Sequence, residues 1–275
     1  MEAPPAQAPA LEDPVGFEAL GDDLVMRALV RAPFFCHGSL HAVNHRLKAL
    51  LRSDDFRKQR LELGLAEHGL VVAGGERHGR GGTERVAYCH MLLNGRWRPI
   101  PPMSGPRSRA CSVIIDNEMW VMGGVDDDEN ALATVEVYSP KTNSWRSCTP
   151  MSQRRTGAVA GVVGGRLVVA GGFDGVGLLT SVEAYTPTGW TPLPPLPHAT
   201  YGATACVLNG RLYVMGGWGC NKLQVLEMSE ENEFSWRVKG DLPWAKPCIE
   251  RYLAGSAVVD GKLWLVGGRV TEEDD

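Results

Sequence analysis

The sequence predicts a mainly β repeat protein behind a small all-α module, and three observations predict it. Paired glycines recur at 74–75, 123–124, 171–172, 216–217 and 267–268, so their first members lie 49, 48, 45 and 51 residues apart. Seven residues before each of the last four stands a turn pair: Asp116-Asn117, Gly164-Gly165, Asn209-Gly210 and Asp260-Gly261. Between residues 20 and 52, by contrast, apolar residues fall at helical spacing.

Composition bounds the classes. At 275 residues the chain holds one large β domain or two smaller ones. Glycine, at 33 of those residues, is well above ordinary usage of about 7% and follows no G-X-Y period, so it marks turns. A net charge of −4 gives no electrostatic footprint for nucleic acid or an anionic membrane, and neither is expected as a partner. Seven scattered cysteines, odd in number and never in a C-x-x-C pair, argue against a disulfide framework or zinc module and for a reducing compartment. Met1 is followed by Glu-Ala-Pro-Pro, unlike a secretory signal, and no apolar run reaches the roughly 18 residues of a transmembrane helix. The expected location is cytoplasmic, nuclear or both.

Residues 1–18, rich in Pro, Ala and acidic residues, read as a disordered tail. Residues 19–57 form the helical module. Asp22 and Asp23 suit an N-cap and first turn, with Leu24, Val25, Ala28 and Leu29 at helical spacing up to Pro33. A second helical face runs Leu40, Val43, Leu47, Leu50, Leu51, with Lys48 and Arg52 near its C-terminal end. Some 40 residues bury too little to stand alone, so the module needs a partner surface.

The stretch Leu20-Gly-Asp-Asp-Leu-Val-Met-Arg-Ala-Leu, followed by Ser39-Leu-His-Ala-Val-Asn-His-Arg-Leu-Lys-Ala-Leu-Leu-Arg-Ser and Asp54-Asp-Phe56, resembles an F-box. Gly21 stands where that family has Pro, and Leu47 where it commonly has Trp. The resemblance implies docking on a Skp-type adaptor through Leu20, Leu24, Leu29, Val43 and Leu47. The plainer alternative is a helical hairpin that packs on whatever follows it.

Residues 58–275 carry the repeat. After the turn pair comes a continuous apolar run, as in Arg211-Leu-Tyr-Val-Met215, which fits a strand covered on both faces. Tryptophans recur at 97, 145, 190 and 236, and six residues beyond each comes Met103, Met151, Leu196 or Leu242. Strands such as Val135-Glu-Val-Tyr138 and Val182-Glu-Ala-Tyr185 precede the middle two tryptophans. A period near 50 with Gly-Gly, Tyr and Trp in fixed register resembles kelch repeats over residues 61–268. That resemblance implies a β-propeller whose blades have four antiparallel strands, with each Trp filling the wedge between neighbours. Blades are expected at 61–103, 109–151, 156–196 and 202–242, all complete. A partial fifth spans about 253–268, leaving either a shortened C-terminus or closure by an earlier segment.

No catalytic constellation emerges, and no cofactor, metal or enzymatic activity is expected. His37, His41 and His45 stack at i, i+4 and i+8 without an acidic or Cys partner. Cys220 lacks an assignable His, and neither phosphate-loop pattern occurs. The functional lead is positional. Sixteen residues before the glycine pairs lie Lys58, Arg107, Arg155, Thr200 and Arg251, where the chain crosses between blades. In kelch propellers that crossing borders the central channel. Arg107, Arg155 and Arg251, with Tyr201 and Tyr252 alongside, would then read an acidic or phosphorylated segment; alternatively the arginines pair with neighbouring loops.

An F-box before a kelch propeller resembles the F-box/kelch proteins numerous in plants. The resemblance implies a non-catalytic substrate receptor of an SCF-type cullin–RING ubiquitin ligase holding an unidentified target protein. A kelch scaffold unlinked to ubiquitin is the alternative.

Overall fold

The structure, a computed structural model, describes residues 70–79, 82–93, 96–242, 251–252, 254–267 and 269–270, together with 26, 49–50, 53, 55–56 and 58–59. The chain divides into two compact units, residues 1–70 with 92–98 and residues 71–91 with 99–275. In the first, positions 26, 49–50, 55–56 and 58–59 are helical. Ser53 Oγ donates to the Leu50 carbonyl at 2.7 Å and accepts the Phe56 N–H at 3.1 Å. That second bond is an N-cap bond, and it explains a serine at this position. Leu20, Leu24, Leu29, Val43 and Leu47 lie outside the described residues, as does the tail at 1–18.

The remainder is all strand. β1 (Leu70–Ala73), β2 (Glu76–Gly79), β3 (Gly82–Arg85), β4 (Cys89–Leu93) and β5 (Arg96–Ile100) come first. β2 and β3 pair as a hairpin, and the others form a sheet in the order β1-β4-β5. Three four-stranded antiparallel meanders follow. They are β6 (Cys111–Ile115), β7 (Glu118–Met122), β8 (Val135–Ser139) and β9 (Ser144–Cys148); then β10 (Val159–Val163), β11 (Arg166–Ala170), β12 (Val182–Thr186) and β13 (Gly189–Leu193); then β14 (Thr204–Leu208), β15 (Arg211–Met215), β16 (Lys222–Met228) and β17 (Phe234–Asp241). Last come β18 (Arg251–Tyr252), β19 (Gly255–Val259), β20 (Lys262–Val266) and β21 (Arg269–Val270), with β18 paired to β21 and β19 to β20. We number these sheets as the first to fifth blades.

The turn pairs behave as their chemistry requires. Asp116 and Asn117 have φ of 49° and 64°, Asn209 and Gly210 of 50° and 71°. Positive φ at both central residues is the type I′ geometry that Asn, Asp and Gly tolerate. The strand after the turn is covered on both faces in the second to fourth blades, where Val168, Val169 and Ala170 of β11 are all fully buried, whereas β20 after the last turn exposes Trp264 and Val266. The core lies between sheets. One cluster joins Val168, Val182 and Ala184 of the third blade to Leu212, Val214 and Leu226 of the fourth. Another joins Trp120, Val135 and Val137 of the second to Leu167 and Val169 of the third. Face-to-face packing of successive four-stranded sheets is how propeller blades stack.

Trp145, Trp190 and Trp236 sit between blades and also bond across them, whereas Trp97 is half-exposed. Trp145 Nε1 donates to the Pro101 carbonyl at 2.8 Å, Trp190 Nε1 to Thr149 at 2.9 Å and Trp236 Nε1 to Pro194 at 2.9 Å. Each acceptor lies in the preceding blade, two residues before its buried Met103, Met151 or Leu196.

Four complete blades were expected, and among the described residues three show four strands. The first shows three strands in its main sheet, and residues 61–69, where that blade was expected to begin, lie outside the described residues. In the fifth, β20 pairs with β19 alone within its sheet.

Candidate functional site

Of the residues sixteen before the glycine pairs, Arg107, Arg155 and Thr200 do lie at the blade crossings, but they face inward, and Lys58 is exposed at a helical position. Arg107 is 3% exposed and Arg155 2%. Arg155 donates from Nε to Glu183 Oε1 at 3.0 Å, and from Nη1 to the carbonyls of Gly171 and Ser181, both at 2.9 Å. Arg107 donates from Nη2 to Glu136 Oε1 at 2.5 Å and from Nη1 to the Gly123 carbonyl at 3.2 Å. Burial pulls the Arg107 guanidinium below its ordinary range, and the Glu136 carboxylate opposes that pull. Glu136 and Glu183 are themselves buried on β8 and β12, and their second oxygens accept the N–H groups of Ser104 and Ser152, each at 2.8 Å. A carboxylate buried in a strand needs such partners, because desolvation alone would neutralise it. The expectation that Arg107 and Arg155 form an open cationic reader is therefore corrected: both charges are spent inside the scaffold.

The fourth blade builds the same junction without charge. Thr200 stands at the arginine position and donates from Oγ1 to the Gly216 carbonyl at 2.7 Å. Gln224 stands at the glutamate position, fully buried; it accepts the His198 N–H at 2.8 Å and donates to the His198 carbonyl at 3.1 Å. Cation and anion are lost together, which leaves no buried charge unpaired.

These junctions explain the glycine pairs. The second glycine of the first three pairs donates its N–H to the register residue of the next blade: Gly75 to the Arg107 carbonyl at 2.9 Å, Gly124 to Arg155 at 2.8 Å, Gly172 to Thr200 at 2.8 Å. The approach is so close that a Cβ on Gly123 would lie 2.2 Å from the Arg155 oxygen. Only glycine fits there. Each register residue thus binds its own blade's pair by side chain and the preceding blade's pair by main chain.

One and two residues further along, Ser108 and Thr156 are buried, while Tyr201 is half-buried and Arg109 exposed. Ser108, Thr156 and Tyr201 bridge Val125, Phe173 and Trp218, the residues that follow the glycine pairs. Two positions on, Gly157 donates its N–H to the Arg109 carbonyl and accepts that of Gly202, both at 2.8 Å. Tyr201 is half-buried. Its ring lies over Gly157, where an added Cβ would come within 2.5 Å of Cε2. From there its hydroxyl accepts a 3.1 Å hydrogen bond from Arg109 Nη1, joining the fourth blade to the second. Arg109, with φ of 55°, also faces Glu76 Oε1 at 3.4 Å. Glu76 in turn accepts from Ser108 Oγ at 2.8 Å, and Ser108 Oγ accepts from Arg85 Nε at 3.2 Å. Arg85 pairs with Glu129, which ties down the acidic loop 125–130.

Of the sequence-derived rim residues, then, Tyr201 reaches the surface beside Arg109, Arg107 and Arg155 do not, and Arg251 lies in β18 with its backbone opposite Val270. Reading by register missed Arg109 and the two glutamates. A glutamate inside an apolar strand, as in Val135-Glu-Val-Tyr138, was the available signal, since such a residue must find a cation. Cys220 is 4% exposed, with Sγ accepting the Lys222 N–H at 3.4 Å. Among the described residues no group of three or more His, Cys, Asp or Glu is placed to hold a metal ion, and no helix is long and apolar enough to cross a membrane.

Comparison with known proteins agrees with this architecture. Human Kelch-like protein 30 is 32% identical over 101 residues, which are 36% of this chain and 17% of that protein. The solved structure of YjhT superposes with a TM-score of 0.59 at 17% identity, covering 71% of each chain, a likeness of fold. Residues 106–152 and 154–197, which hold the second and third blades, each match the Kelch motif.

Proposed function

We propose that this protein is the target-recognition subunit of an SCF-type cullin–RING ubiquitin ligase. The segment 20–56 would dock a Skp-type adaptor through Leu20, Leu24, Leu29, Val43 and Leu47, and the kelch blades would hold a target protein for ubiquitination. The observation that carries the binding half is the division of labour within the blades. The repeated polar residues are consumed by the scaffold, while the segments after the glycine pairs differ in sequence from blade to blade: basic at 76–83, acidic at 125–130, apolar at 173–178 and 218–220. Variable loops on a rigid repeat are where recognition resides. The protein would do no chemistry itself and would act by raising the local concentration of its target near the ubiquitin-carrying enzyme.

Co-expression with a Skp-type adaptor tests the assignment. The adaptor should co-purify with the full chain and be lost from Leu24→Asp. If it fails to co-purify with the unaltered chain, the protein is instead a kelch interaction scaffold unlinked to ubiquitin.

A further inference from the structure

We propose that the loops of the third and fourth blades form a preorganised platform for an extended protein segment carrying a bulky apolar side chain next to a carboxylate. This rests on the reading of the blades as a target-binding module and names the chemistry of the target.

Five residues close into a ring on this surface. The Phe173 and Tyr201 rings meet edge to face, with centroids 6.3 Å apart. Tyr201 bridges Trp218 through the main chain, and Phe173 bridges Leu178. Gly219, next to Trp218, closes the circuit, because Leu178 packs against it so tightly that a Cβ there would lie 2.5 Å from Leu178 Cδ1. The circuit is apolar and open to solvent: Trp218 is 50% exposed, Leu178 39%, and Val176 at the loop tip 93%. In the second blade the residue after the glycine pair is Val125, only 3% exposed, and four acidic residues follow it. The corresponding loop of the second blade thus offers no such exposed apolar surface.

The loop bearing Phe173 and Leu178 is held in one shape. Asp174 Oδ1 accepts the N–H groups of Val176 at 2.8 Å and Gly177 at 2.9 Å. A platform already ordered loses little conformational entropy on binding, and aromatic residues in such settings are the usual energetic anchors of interfaces.

Charge decides what lies beside the anchor. Tyr201 Oη accepts from Arg109, and among the described residues its own proton is given to no acceptor. A hydroxyl polarised by a guanidinium is a strengthened donor, with the cation directly behind it. A carboxylate on the bound segment satisfies both groups; a basic residue there meets Arg109 and is rejected.

Selection of random linear peptides displayed against the full chain tests the platform. Enriched peptides should share a bulky apolar residue with Asp or Glu within a few positions. Their affinity should fall roughly tenfold or more in Trp218→Ser and in Leu178→Ser, the scale of a truncated anchor, with thermal unfolding unchanged. Tyr201→Phe should weaken only those peptides that carry the acidic residue. Enriched peptides that bind Trp218→Ser and Leu178→Ser as tightly as the unaltered chain would overturn the platform and leave the target-binding reading standing. An absence of any enriched peptide would remove both.

Discussion

Arg155 and Glu183 meet at 3.0 Å inside the seam of the third blade, with side chains 2% and 4% exposed. One blade later the same two positions hold Thr200 and Gln224, and the seam is still built. The pair is therefore replaceable as a unit but not one member at a time. Arg155→Thr alone strands a buried carboxylate and should cost roughly 3–5 kcal/mol. Adding Glu183→Gln reproduces the fourth-blade chemistry and should restore most of that loss. Urea denaturation of the two single variants and the double variant reads the coupling directly.

The glycine pairs make an independent test of the seam. Gly123→Ala combines a φ of 65° with a Cβ 2.2 Å from the Arg155 oxygen. Gly165→Ala shares the positive φ, at 73°, but meets nothing within 4 Å. The first should cost roughly 3 kcal/mol or more and the second roughly 1–2 kcal/mol. Equal losses in thermal melts would mean that backbone conformation alone, and not the neighbouring blade, demands glycine at 123.

Gly157→Ala should act on the surface rather than in the core. Its new Cβ would occupy the space of the Tyr201 ring, so the ring must swing away and release Arg109. The expected readout is a changed environment for Tyr201 in near-ultraviolet circular dichroism, with affinity for acidic peptides reduced as in Tyr201→Phe.

Cys111 should be silent to alkylation. Burial pushes its thiol up to about 12, so almost no thiolate exists at pH 8. Peptide mapping after iodoacetamide should find it unlabelled in the folded chain and labelled in denaturant.

The loop at Asp174 carries the clearest pH dependence. The N–H groups of Gly177 and then Val176 favour the ionised carboxylate and hold it below the usual carboxylate range. A folded value below the unfolded one means the loop's stabilisation is complete above the unfolded value of about 4 and is lost as pH falls through the folded one. Amide resonances of Val176 and Gly177 should hold steady from pH 7 to about 4 and move only in stronger acid.

Much of this protein is legible in order along the chain. The turn pairs require positive φ, which Asn, Asp and Gly supply locally, so hairpins, strand limits and blade register follow from residues within about ten of one another. The recurrence of Trp145, Trp190 and Trp236 likewise marks the wedges by spacing alone. The use of a polar side chain is not local. Arg107 and Arg155 look alike as rim cations or as buried ties, and what separates the two is whether Glu136 and Glu183, nearly thirty residues on, meet them from the third strand of the same blade. Nor does sequence show that Phe173, Tyr201 and Trp218 converge, because they come from two loops and a crossing that only the packing of one sheet against the next brings together. The repeat by itself determined the blades. The tertiary structure decided which residues the blades consume and which they leave exposed, because burial and pairing are properties of neighbours in space.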